Sequence, residues 1–429
     1  MTTILLLLQL AAGPGFEEKI MERMNAIAES YVKLVLGLGK HDSDYVDAYY
    51  GPEEWRTQAE KAGLDLSQIH ASVAELRQHL TKLEMAGTPA PMRLRHHYLE
   101  KQLRSMSARI DFLAGKKLSF DQEAELLYDV RPPHYDEAHF QALLAELDGA
   151  LPGKGTMSDR YNQFRSDFII PSEKLDTVFK AAIAEARKRT AARLDLPKNE
   201  SFVVEYVTDK AWSGYNWYKG KAHSLIQVNT DLPISIDRAV DLACHEGYPG
   251  HHVYNALLEQ HLVRDSGWWE FSVYPLFSPQ SLIAEGSANF GIEVAFPGEE
   301  RLAFERDVLF PLAGLDSKRV EEYYRILKLV GKLSYAGNEA ARYFLDGKWD
   351  RQRTVDWLVK YALFSPERAT QRLSFVEKYR AYVINYNLGK DMVARHIASR
   401  GGSDDQPDIR WHEFGKLLSA PMLPSNLEK

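Results

Sequence analysis

Hydrophobic side chains recur at helical spacing through most of the chain. From residue 16, the stretch FEEKIMERMNAIAESYVKLVLGL places Ile20, Met24, Ile27, Tyr31 and Leu34 on one face, which is the pattern of an amphipathic α-helix. The same spacing predicts further helices over 68–85, 93–114, 119–128, 136–149, 172–194, 252–263, 281–295, 317–346, 352–363, 366–400 and 410–418.

Two short stretches break this pattern. SFVVEYVTD (201–209) and SLIQVNT (224–230) are rich in β-branched residues and predict two strands, joined by an aromatic, glycine-containing connection. A helix with Ser235 as its N-cap should follow and run through residues 236–248. The pattern therefore predicts a mainly α protein: a large helical body with a small β-sheet next to the segment 245–252.

The change of pattern near residue 196 divides the chain into regions. Residues 16–195 form a helical N-terminal region and residues 196–429 a second region, and the absence of a flexible linker predicts one continuous two-lobed unit. Residues 1–15 contain an apolar run that is too short to span a bilayer. It favours a signal segment and export over a cytoplasmic location, although a basic n-region is missing; a packed N-terminal helix or strand is the alternative.

Composition excludes several classes of function. The formal net charge of −7 over 429 residues, with no dense run of Lys or Arg, gives no nucleic-acid footprint. The chain has no apolar stretch long enough for a transmembrane helix. Cys244 is the sole cysteine, so neither an intramolecular disulfide nor a cysteine-rich zinc module can form. Any metal site must use His, Asp or Glu.

The stretch HEGYPGHH at 245–252 concentrates three histidines and a carboxylate. In the zinc helix H-E-x-x-H, two histidines one turn apart bind the ion and the Glu acts on its water. Here His245 and His251 lie six residues apart, and on an unbroken helix they would be rotated by about 240° and separated by roughly 9 Å. They could not share an ion on such a helix.

Pro249 and Gly250 change this expectation. Proline removes a helical hydrogen bond and clashes with the carbonyl four residues earlier, and glycine permits backbone angles that other residues avoid. A break that loops out these two residues would leave His245 and His251 equivalent to positions i and i+4. His252 is the alternative second ligand.

The stretch LIAEGSANFGIE supplies a candidate third ligand, Glu285. Its neighbours are apolar, so an unpaired carboxylate there would be costly, and a metal ion would remove that cost. Asn289, one turn on, could hold the second nitrogen of a histidine ligand. Glu293, two turns on, is the more distant candidate for such a supporting role.

Together, HEGYPGHH and the later EGSA (285–288) resemble the bacterial "domain of unknown function 885" family, whose members carry H-E-x-x-P-G-H-H and E-G-x-A. That family is similar to gluzincin metallopeptidases such as thermolysin. The resemblance implies a gluzincin-like fold, one zinc ion held by His245, His251 and Glu285, and Glu246 as general base. The resemblance extends over about residues 16–425, but it is specific only between about residues 200 and 300. The family's late P-G-Q-A-L-x-Y-x-x-G stretch has a partial counterpart at Tyr386 and Gly389.

These expectations point to a zinc-dependent hydrolase that cleaves peptide bonds, as an exopeptidase or small-peptide enzyme. Tyr386 or Tyr382 are candidates for a donor to the oxyanion; for each, a buried tyrosine in a core helix is the more ordinary interpretation. The resemblance also makes SLIQVNT an edge strand that pairs with the substrate backbone. A metal-dependent amidase acting on a non-peptide amide uses the same residues, and a non-catalytic helical binding protein with structural histidines is the third alternative.

Overall fold

The structure, a computed structural model, describes residues 14–428 and is mainly helical, with 67% helix and 7% strand. This confirms the predicted mainly α class with a small sheet. The α-helices are, in chain order, α1 (Pro14–Leu38), α2 (Glu53–Ala62), α3 (Leu66–Thr81), α4 (Ala90–Leu113), α5 (Phe120–Tyr128), α6 (Glu137–Ala150), α7 (Met157–Ser166), α8 (Leu175–Ala191), α9 (Asp237–Leu242), α10 (His251–Leu258), α11 (Pro279–Ala295), α12 (Gly298–Phe304), α13 (Phe310–Ala313), α14 (Val320–Gly331), α15 (Ala336–Leu345), α16 (Arg351–Tyr361), α17 (Pro366–Tyr379), α18 (Ile384–Ser399), α19 (Pro407–Leu418) and α20 (Pro424–Leu427).

The strands form two small sheets. In the first, β1 (Val46–Tyr49) pairs antiparallel with β5 (Val273–Pro275). In the second, β2 (Ser201–Val207), β3 (Gly214–Gly220) and β4 (His223–Asn229) lie in the order β2-β4-β3, with β4 parallel to β2 and antiparallel to β3. The central strand β4 is therefore paired on both sides, and β2 and β3 lie at the edges.

Four local predictions were wrong. The connection predicted between two strands contains β3, whose glycines and asparagine hid a strand pattern. The single helix predicted over 317–346 is α14 and α15, separated by a turn at 332–335, and the one predicted over 366–400 is α17 and α18, joined by a 3₁₀ turn at Arg380–Val383. Ser235 does not cap α9, because its hydroxyl donates to Asp237 Oδ1 at 2.5 Å instead.

The central helix α11 is buried along nearly its whole length and packs closely on α18. The two helix backbones come so close that each helix needs a glycine at the point of contact. A Cβ on Gly286 would lie 2.5 Å from the carbonyl oxygen of Gly389, and one on Gly389 would lie 2.8 Å from that of Leu282. This backbone contact fixes the position of Glu285, the residue before Gly286, relative to the tyrosines of α18 and the turn before it.

The N-terminal helices contact the second region extensively. Arg95 of α4 forms a fully buried bidentate pair with Glu270, with Nε–Oε1 at 2.6 Å and Nη2–Oε2 at 2.9 Å. The β1–β5 ladder adds a second contact across the region boundary predicted near residue 196. The region boundary itself stays a prediction.

Within residues 14–428, every helix is too short or too polar to cross a membrane. The predicted signal segment, 1–15, lies almost entirely outside the described residues.

Candidate metal centre

The helix that carries His245 ends within the HEGYPGHH stretch. Helix α9 continues into a π-helical turn, Ala243–Gly247, and α10 begins at His251. Between them the Gly250 N–H donates to the carbonyl of Cys244 at 2.8 Å, so the chain folds back on the π-turn. Such turns are frequent at functional sites. The break predicted at Pro249 and Gly250 is present, and it brings the ring centres of His245 and His251 to 4.6 Å.

A close backbone approach at the break requires glycine at position 250, whose φ is −77° and ψ −136°. A Cβ at this position would lie 1.9 Å from the carbonyl oxygen of His245 and 2.3 Å from that of Cys244. The backbone of the break passes so close to the π-turn that no side chain fits between them.

Gly250→Ala should therefore destabilise the protein by more than the roughly 1–3 kcal/mol of ordinary overpacking, because backbone atoms must move. Gly149→Ala is the matched control: it lies in α6 with no heavy atom within 4 Å of the added Cβ, and it should stabilise by up to about 1 kcal/mol. Urea denaturation measures both changes in the free energy of unfolding. A Gly250→Ala protein as stable as wild type would refute the close approach.

Three side chains converge beside this break. His245 Nε2 lies 3.2 Å from Glu285 Oε2, and His251 Nε2 lies 3.7 Å from Glu285 Oε1. One ligand atom from each residue lies within 4.8 Å of the others. Two zinc ligands at 2.0–2.1 Å in a tetrahedron are about 3.3 Å apart. The side chains of both histidines are 12% exposed and that of Glu285 is 8% exposed, so the cluster is sheltered but reachable.

The electrostatics of the cluster favour a cation. Burial alone would raise the pKa of Glu285, but the facing imidazoles of His251 and His245 hold that pKa well below its ordinary value. Burial would lower the pKa of His251, whereas the opposing carboxylates, Glu285 first, raise it to about 9. Within the described part of the chain, Glu285 Oε2 has no hydrogen-bond partner. A buried carboxylate oxygen without a donor, facing two imidazole nitrogens, fits a metal ion.

This arrangement predicts a pH dependence of stability for the metal-free protein. Because the pKa of His251 is raised from 6.5 to about 9 in the fold, its contribution is fully present below pH 6.5 and is lost as the pH rises through 9. The free energy of unfolding should fall by roughly 1.4 kcal/mol per pH unit in that interval. Urea denaturation of wild type and His251→Gln at pH 7 and 8.5 isolates the contribution of His251. An equal fall in the free energy of unfolding in both proteins would contradict the prediction.

Asn289 and Tyr382 contact the converging side chains. Asn289 Nδ2 donates to the Tyr386 carbonyl at 3.0 Å, which leaves its Oδ1 to accept from His245 Nδ1 at 3.2 Å. A proton on Nδ1 leaves the lone pair of His245 Nε2 directed at the cluster. The Tyr382 hydroxyl donates to Glu285 Oε1 at 2.7 Å. Helix α18 and the turn before it thus hold two of the three converging groups in place.

His252 and Glu293 do not join the cluster. The ring of His252 contacts Ser224 Oγ at 2.8 Å and Glu200 Oε2 at 3.1 Å, because successive helix residues point about 100° apart. It anchors α10 to the sheet instead. Glu293 pairs with Lys390 and faces Arg410 at 3.9 Å. Eight residues along a helix rotate a side chain by about 80°, which carries Glu293 off the face of Glu285.

Glu246 lies next to the cluster without joining it. The side chain is buried, and burial raises its pKa above the ordinary value against the lowering effect of His245 and His251. Its backbone carbonyl accepts from Asn216 Nδ2 at 2.7 Å. A Cβ on Gly214 would lie 2.8 Å from Glu246 Oε1, so the start of β3 passes close to this carboxylate.

The strand predicted to pair with a substrate backbone is not an edge strand. SLIQVNT is β4, whose backbone is paired on both sides and cannot accept another strand. The edge strand that reaches the cluster is β3, and its residues Gly214, Tyr215 and Asn216 line the adjoining cavity. The sequence prediction took SLIQVNT for an edge strand because β3 itself was not recognised.

A cavity of about 620 Å³ opens from the cluster. Its wall includes Asp47 of β1, which the sequence gave no reason to select. The Tyr215 hydroxyl donates to this carboxylate, and burial raises the pKa of Asp47 to about 6. No motif marks Asp47, since the β1–β5 pairing that brings it to the cavity joins distant parts of the chain. Tyr386 also lines the cavity, as do several arginines.

No family model matches the chain, and no curated protein sequence matches it. Among solved structures, a protein described as a candidate lipoprotein of Colwellia psychrerythraea is 14% identical, with a TM-score of 0.50 over 84% of this chain and 68% of that chain. The M32 carboxypeptidase from Deinococcus radiodurans R1 is 14% identical, with a TM-score of 0.38 over 96% and 94%. The likeness to the Colwellia protein is one of fold alone. The likeness to the carboxypeptidase is too weak to support any statement about the function of this chain. Membership of the domain of unknown function 885 family stays a prediction.

Proposed function

We propose that this protein is a zinc-dependent hydrolase that cleaves peptide bonds. His245, His251 and Glu285 would hold one ion, and Glu246 would act as general base. The observation that carries the proposal is the convergence of two imidazole Nε2 atoms on a buried carboxylate, one oxygen of which lacks a donor within residues 14–428. A purely structural cluster would be expected to satisfy that oxygen.

When bound, zinc supplies Lewis acidity, lowering the pKa of a coordinated water toward 7 and polarising a carbonyl. Glu246 would take the proton of the attacking water and return it to the leaving amine. This task suits a buried carboxylate whose pKa is raised above its ordinary value, since such a group is a stronger base than an exposed carboxylate. The burial and raised pKa of Glu246 support that role.

Tyr386 is the better candidate for the donor that stabilises the oxyanion. The Tyr382 hydroxyl already donates to Glu285. The hydroxyl of Tyr386 has no hydrogen-bond partner in the described part of the chain, and its ring stacks 6.4 Å from that of His245. A donor that is free and fixed next to the reacting group lowers the barrier without reorganisation.

Digestion of a mixed peptide library tests the proposal. Zinc-loaded protein should cleave peptide bonds, and protein stripped by a chelator should cleave none until zinc is restored. A zinc-loaded protein that leaves every peptide intact but hydrolyses non-peptide amides would favour the amidase alternative. A protein that binds no zinc and cleaves neither would favour a binding protein with structural histidines.

A further inference from the structure

Helix α17 places two arginines on the wall of the cavity. Arg368 and Arg372 lie one turn apart and both line the space that opens from the metal centre. Like charges at positions i and i+4 of a helix repel each other. Even so, within residues 14–428 neither guanidinium has a carboxylate partner. We refer to these two residues as the arginine pair.

Further positive charge lies beside the arginine pair. Burial lowers the pKa of Arg368, and the neighbouring charges of Arg165 and Arg238 lower it further, to about 10, against the raising effect of Tyr161 and Asp237. Arg165 donates to Ser235 Oγ at 2.7 Å, yet its buried Nε has no partner in the described part of the chain. Arg238 faces Asp241 at 3.3 Å. Asp237 also acts on Arg165 and Arg368, so among the described residues the four arginines of this part of the cavity face two carboxylates, Asp237 and Asp241, and positive charge is in excess.

Aromatic rings hold the arginine pair without using its hydrogen-bond donors. The guanidinium carbon of Arg368 lies 5.3 Å from the ring centre of Phe364. That of Arg372 lies 4.9 Å from Phe375 and 5.9 Å from Tyr386. Stacking on a ring face fixes the plane of a guanidinium and leaves its N–H groups free at the edge. Such a group is ready to form a forked pair with a carboxylate.

We propose that the arginine pair is a subsite for a carboxylate of the substrate. The inference rests on the proposed function, since it takes the cavity to be the peptide-binding cleft. Tyr386 contacts both Arg372 and the ring of His245, and an extended peptide advances roughly 3.3–3.6 Å per residue. The carboxylate therefore belongs within about three residues of the scissile bond. It is either the C-terminal carboxylate or the side chain of an Asp or Glu.

Calorimetry with zinc-loaded Glu246→Gln protein tests the subsite without turnover. Three peptides serve as probes: N-acetyl-tetraalanine with a free C-terminus, the same peptide as its carboxamide, and the carboxamide peptide with Glu as its last residue. One of the two carboxylate peptides should bind at least about tenfold more tightly than the neutral peptide, as expected for hydrogen bonds to a charged group. Which of them does so identifies the source of the carboxylate.

Two variants, Arg368→Gln and Arg372→Gln, are each made in the Glu246→Gln background. Each should lower the affinity for that carboxylate peptide by about tenfold or more and keep the affinity for the neutral peptide within about twofold of its original value. Arg325→Gln, an exposed arginine on α14, removes the same charge outside the cavity and should change nothing. Thermal denaturation checks that each variant is folded. Equal affinity for all three peptides, or an equal loss for charged and neutral peptides, would overturn the subsite.

The outcome separates this inference from the proposed function. If wild type cleaves peptides but ignores their carboxylates, the subsite fails and the hydrolase stands. If wild type cleaves no peptide while the arginine pair still selects the carboxylate peptide, the subsite stands and the peptidase proposal fails.

Discussion

Glu246→Gln should keep its zinc and lose roughly 100- to 10,000-fold in kcat/KM on any peptide that wild type cleaves, the usual contribution of a general base. The amide has the shape of the carboxylate but cannot accept a proton at neutral pH. Glu246 lies outside the converging His245, His251 and Glu285, so zinc content should stay at the wild-type level. Because burial already disfavours the charged form of Glu246, the neutral amide should not destabilise the fold.

Zinc analysis beside steady-state kinetics distinguishes the roles of Glu246. A variant that loses zinc together with activity would make Glu246 a ligand, and a variant that keeps full activity would remove it from the mechanism. Glu293→Gln is the matched control, since it neutralises a carboxylate of α11 that faces Lys390 and Arg410 instead of the cavity. That control should change neither zinc content nor kcat/KM.

Glu285→Ala should abolish stoichiometric zinc binding and activity together. Loss of an outer partner of a metal ligand typically costs 10- to 100-fold in affinity, so loss of a direct ligand should cost more than about 100-fold. It also leaves the two imidazoles facing each other without their carboxylate. Zinc affinity measured by competition with a chelating dye gives the change.

Glu293→Ala on the same helix is the control for Glu285→Ala, and it should bind zinc as wild type does. Zinc affinity in Glu285→Ala equal to that of wild type would exclude Glu285 as the third ligand. A similar loss in both variants would instead indicate general damage to α11.

Much of the candidate centre follows from local sequence. Pro249 cannot continue a helix, so the break in HEGYPGHH is predictable from one residue, and the break removes the rotation that would separate His245 from His251. Glu285 stands out because a carboxylate among apolar helix residues needs a partner. These inferences use only neighbours in sequence, where periodicity and proline chemistry are strong.

Other features depend on tertiary contacts that no local pattern encodes. The close approach at Gly250 involves the carbonyl of His245, which the fold brings within 1.9 Å of a Cβ. Asp47 reaches the cavity through a strand pairing between distant segments. The arginine pair has the expected helical spacing, but its significance depends on the lack of a salt-bridge partner within residues 14–428, which periodicity does not reveal.

A zinc-bound crystal structure with anomalous data at the zinc edge tests the central claim most directly. One peak should lie roughly 2.0–2.2 Å from Nε2 of His245, Nε2 of His251 and an oxygen of Glu285, with His252 still contacting Ser224 and Glu200. A peak held by His252, or one that does not touch Glu285, would contradict the account.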